Sequence, residues 1–120
     1  MTKKSQGKIT IAPEVLITIV RLNTLNIAGV SSLAVNVGGM NRWFDKGLSE
    51  GVHIVVEDNK VYADIFVVLK PDTNVIETSH AIQHQVARAI SEMVGMEVGK
   101  VNIHIEDIEL ANTTPAEAAA

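Results

Sequence analysis

At 120 residues the chain has room for one domain with one core, which at this size buries roughly two-thirds of the surface that the unfolded chain exposes. Apolar residues make up 47%, too many for a disordered chain, and the absence of cysteine removes disulfides and thiolate metal sites. A net charge of −4, with the basic residues scattered along the chain, argues against nucleic acid, which is held by neutralising phosphates.

The residues ahead of Ile9 contain no signal-peptide apolar core. Arg21 and Asn23 interrupt the best apolar run, so nothing reaches the roughly 20 residues that span a bilayer. The expectation is a soluble cytoplasmic domain over residues 7–110, with 1–6 and 111–120 as flexible tails.

Taken in chain order, Lys8 to Ile11 alternates and suggests a short edge strand. Pro13 suits the first position of a helix, and Glu14 behind it favours the positive helix end. The helix predicted over Val15 to Leu25 is apolar over most of its girth, so it is buried on two sides or offers one side to a partner. Ile17 is assigned to that outer side. Val30 to Val37 reads as a strand with Leu33, Val35 and Val37 on one face, followed by an irregular connection that carries Trp43 and Phe44.

Val52 to Glu57 and Lys60 to Leu69 flank Asp58-Asn59, a two-residue hairpin turn. That turn sets Glu57 opposite Lys60 and His53 opposite Asp64, with one face apolar; a one-residue slip would bury Glu57 and Lys60. Phe66 and Val68 then fall on the polar face and need cover from another element or another chain.

Asn74 with Glu77 resembles a capping box, opening a second helix with Val75, Ser79, Ile82, Val86, Ala89, Ile90 and Met93 at helical spacing and Gly95 as its stop. Val98 to Leu110 forms the last strand, with Val101, Ile103 and Ile105 inward and Asn102, His104 and Glu106 outward. A strand–helix–strand connection is right-handed and makes this strand parallel to its predecessor. The fold class is therefore α+β: a small mixed sheet with two helices packed on one face, its αββαβ order similar to that of KH-type RNA-binding domains.

No constellation for catalysis emerges. His80 and His84 stand four apart on one helix face but lack a third ligand, and a solvated face explains them better. His53 opposite Asp64 lacks a nucleophile and sits in mid-strand, which favours a cross-strand charge pair, and His104 draws the same reading. No glycine-rich phosphate loop occurs, and no cofactor or metal is expected. The GXXG clamp of KH domains is missing too, which leaves RNA binding as the alternative reading only. Trp43 and Phe44 either anchor an interface or cap the core. The candidate partner surface is thus Ile17, Trp43, Phe44, Phe66 and Val68, because unpaired apolar patches mark contacts.

The segments Gly7-Lys8-Ile9-Thr10-Ile11-Ala12-Pro13-Glu14-Val15, Ala28-Gly29-Val30, Lys46-Gly47, Gly51-Val52, Asn74-Val75-Ile76, Gln85-Val86, Met93-Val94-Gly95-Met96-Glu97-Val98 and Val101-Asn102-Ile103-His104-Ile105 run through residues 7–108. In these the chain resembles the alkaline shock proteins, the envelope stress response family of bacteria. The resemblance implies a non-enzymatic, cytosolic protein linked to cell-envelope stress that gathers near the membrane by binding a membrane-anchored partner, with no catalytic residue to carry over. Self-association is the expectation from the unpaired apolar surface. Two departures are Ala28-Gly29-Val30, where the family often has Pro-Gly-Val, and Lys70-Pro71, where it tends to Tyr-Gly.

Overall fold

The computed structural model describes residues 6–34, 48, 49 and 51–109. Helix α1 (Pro13–Leu25) starts on its proline, with the Val15 N–H donating to Ala12 O at 2.9 Å. Strands β1 (Val30–Leu33), β2 (Leu48–Ser49), β3 (Val52–Glu57) and β4 (Lys60–Leu69) follow. Helix α2 (Val75–Ala89), a π-helical turn (Ile90–Val94) and strand β5 (Glu97–Ile108) complete the order.

The strands form one five-stranded mixed sheet. The β3–β4 hairpin has the register expected from its turn, Glu57 opposite Lys60 through His53 opposite Asp64, and Asp58 and Asn59 both take positive φ (51° and 64°). Strand β5 runs parallel to β4, as the crossover rule requires. Strand β1 is antiparallel to β4 and continues the line of β3 on the same edge, since β3 covers Lys60 to Ile65 and β1 covers Val67 to Leu69. At their junction, Phe66 donates to Gly51 O and its carbonyl accepts from Ala34 N, both at 2.8 Å. A side chain at Gly51 (φ 85°) would meet Ala34 O at 2.9 Å, so the two strand ends meet only over a glycine.

Both helices lie on one face. Leu16, Ile17 and Val20 of α1 join Ile82 and Val86 of α2, and Ile90, over Val52, Ile54, Val61, Ala63, Ile65, Val67 and Leu69. Every inward side chain of β4 is 0% exposed. Thr24 is buried among them, its hydroxyl satisfied by Val20 O at 2.8 Å. The two helices are clasped by Gln85 Nε2 donating to Asn23 Oδ1 at 3.0 Å. Asn74 caps α2, its Oδ1 accepting from Glu77 N at 2.9 Å.

Four expectations change. Residues 8–11 form no strand, and Ile9 and Ile11 are exposed. Ile17 is not on the outer side of α1: it lies three residues before Val20 and seven before Thr24, on the stripe facing the sheet, and is buried. Met93 leaves the apolar stripe because the π-helical turn lengthens the step after Ile90, bringing Val94 against the core instead. The last strand ends at Ile108.

The open face and open edge of the sheet

Helix burial of one sheet face leaves the other to Tyr62, Asp64, Phe66 and Val68 of β4, all half-buried, flanked by β3 and β5. Alternation along a strand makes this unavoidable: residues one step from a fully buried position point away from the core. The register places Asp64 between His53 and Asn102, and Phe66 beside His104.

Asp64 is the hub. Its Oδ1 accepts from Asn102 Nδ2 at 3.1 Å and lies 2.9 Å from His104 Nε2, while its Oδ2 is 3.8 Å from His53 Nδ1. Partial burial pushes the carboxyl's pKa up, but the hydrogen bonds from His104 and Asn102 and the nearby histidine charges outweigh it. The carboxyl is held below its ordinary value. The Phe66 ring stacks on His104, centroids 4.4 Å apart and planes 13° from parallel. Further along, the Tyr62 ring lies across Gly99, where a Cβ would fall 2.4 Å from a ring carbon. The face is thus a preformed surface of fixed rings around one carboxylate.

The cross-strand pair of His53 with Asp64 is present, and β5 adds two partners that the sequence reading had placed only as outward residues. Their convergence depends on the β-bulge in β5 between Val98 and Lys100, which carries no sequence signal beyond Gly99. Among the described residues, no group of three or more His, Cys, Asp or Glu could hold a metal ion. His80 and His84 are exposed on α2.

Of the candidate surface, Phe66 and Val68 lie on the open face, Ile17 belongs to the core, and Trp43 and Phe44 fall outside the described residues. The outer side of α1 is apolar through other residues: Val15 (46% exposed), Leu22 (53%) and Leu25 (40%). No sequence signal separates them from Ile17, because α1 carries apolar residues on nearly every side.

The sheet also has an open edge. Among the described residues β5 pairs only with β4. Phe66 turns its backbone groups toward β1 and Gly51, so Ala63, Ile65 and Val67 turn theirs toward β5. In a parallel ladder each of these bonds the residues before and after its partner. The N–H and C=O of Val101, Ile103 and Ile105 therefore point away from the sheet. Helix α2 overhangs this edge, with Gln83 Nε2 donating to Val101 O at 2.9 Å.

No helix among the described residues is long and apolar enough to cross a membrane. Solved structures of MamM CTD share the fold: one variant has a TM-score of 0.52 and 14% identity, covering 82% of this chain and all of that one. A nickel form has a TM-score of 0.51 at 14% identity, covering 80% and 99%. Likeness at that identity speaks for architecture alone. The uncharacterized protein Spy1535 of Streptococcus pyogenes is 36% identical over 96% of this chain and 88% of its own length. The uncharacterized protein YqhY of Bacillus subtilis is 24% identical over 86% and 78%. A family model matches residues 1–110, nearly the whole chain, and with it the protein belongs to the alkaline shock protein 23 family, whose description is a cell envelope-related function.

Proposed function

We propose that this protein is a non-enzymatic, self-associating scaffold of the cell envelope-related family, cytoplasmic and recruited to the inner side of the membrane by a protein partner. The observation that carries the reading is the asymmetry of the sheet. One face of β4 is sealed by helices, while the other presents Tyr62, Phe66 and Val68 around the tethered Asp64. Flat faces with aromatic anchors fixed by their neighbours suit protein partners, because little side-chain freedom is lost on binding. The exposed apolar side of α1 offers a second contact.

The test compares tagged full-length protein with its Phe66→Glu and Val68→Lys variants in recovery of proteins from solubilised envelope fractions. A defined set that falls about ten-fold or more with either variant supports the reading. Recovery of the same set by all three proteins, or of nothing above an untagged control, overturns it.

A further inference from the structure

We infer that the open edge of β5 is the site at which a second copy of this chain attaches, antiparallel about a two-fold axis through Ile103. The inference rests on the self-association in the proposed function and assigns it a place.

Backbone direction limits the choice. Between the two register shifts of β5, Val101, Ile103 and Ile105 are the residues with groups aimed outward, so an antiparallel copy pairing along this stretch must set odd residues against odd ones to form bonds. With Ile103 opposite itself, Val101 meets Ile105 and all three form bonded pairs. The Val101 carbonyl already accepts from Gln83 and has a second lone pair for the incoming amide.

Side chains select the same register. Lys100 then stands opposite Glu106 on the partner, twice by symmetry, and both residues are exposed. Val101, Ile103 and Ile105, each half-buried in one chain, meet one another on the helix side. The two neighbouring registers lose this pair: one sets His104 opposite itself, the other sets Lys100 opposite His104. Opposed unlike charges favour a cross-strand pair and like charges disfavour it. An isologous contact of this kind closes on itself and gives a dimer.

A strand edge alone buries less than the roughly 1,200 Å² that stable interfaces start from. Helix α2 supplies the rest. Gln83 holds it over the edge, and Ile76, seven residues earlier on the same stripe, is 64% exposed. Two copies of α2 would meet across the seam.

Sedimentation equilibrium of the full chain tests this with Lys100→Glu and Glu106→Lys, both at exposed positions, after unfolding curves confirm that each folds. The expected result is a wild-type dimer, roughly ten-fold weaker association for each variant alone, and recovered association when the two variants are mixed in equal amounts. The mixture restores unlike pairs at both symmetric positions, which no effect within one chain can do. A wild-type dimer indifferent to both substitutions, or a mixture that stays weak, overturns the edge assignment and leaves self-association to another surface. A wild type that is monomeric at about 100 μM removes self-association itself, while partner binding by Phe66 and Val68 stands or falls on its own experiment.

Discussion

The two faces of β4 share one backbone and differ in almost everything else. On the helix side Val61, Ala63, Ile65, Val67 and Leu69 have no exposed surface; on the other, Tyr62, Asp64, Phe66 and Val68 are held by neighbours in the plane of the sheet without being covered. The first face makes the domain stable. The second is ordered at little cost to stability, which is the condition under which a surface is free to serve a partner. Sheets with helices on one side generally leave the other face to water or to another molecule.

The sharpest way to break this comparison is to truncate both faces. Ile65→Ala should cost about 2–5 kcal/mol in urea unfolding, because it leaves a cavity in a filled core. Val68→Ala should cost under about 1 kcal/mol, since only part of its surface is shielded. Equal losses would mean that the open face is also core. A smaller effect concerns the helix that seals the inner face: Asn74→Ala removes the acceptor for Glu77 N and should lower stability by about 1 kcal/mol.

The smallest effect sharpens the picture of the open face. Asp64 has a folded-state pKa below its unfolded value, so it contributes stability above the unfolded pKa, near 3.9, and that contribution is lost as pH falls through the lower, folded value. Asp64→Asn should therefore flatten the acid limb of the melting temperature against pH below about pH 4. An unchanged acid limb would show that Asp64 is not held by His104, Asn102 and His53.

Local chemistry made the hairpin legible. Asp58-Asn59 and the alternation on either side fixed its register down to His53 opposite Asp64, and the crossover rule gave β5 its direction. Helix starts were equally plain, from Pro13 and from Asn74 with Glu77. What was hidden depends on contacts between distant segments. The β5 bulge at Gly99 brings Asn102 and His104 to Asp64, and nothing near Asp64 in sequence announces it. Ile17 was misplaced because α1 is apolar nearly all round, so hydropathy gave no direction to its buried side. The π-helical turn that exposes Met93 is a packing adjustment with no local signature. Phe66 and Val68 were placed on the open face because they break an otherwise polar alternation, the kind of conflict that marks a contact surface.

The open edge of β5 extends the comparison from faces to edges: among the described residues β4 is paired on both sides, β5 on one. Amide hydrogen exchange at two protein concentrations reads this directly. The amides of Asn102 and His104, directed at β4, should be protected in dilute and concentrated samples alike. Those of Val101, Ile103 and Ile105 should exchange fast when dilute and become protected as concentration rises. Outward amides that exchange at one rate at both concentrations, whether fast or slow, would contradict attachment of a second copy at this edge.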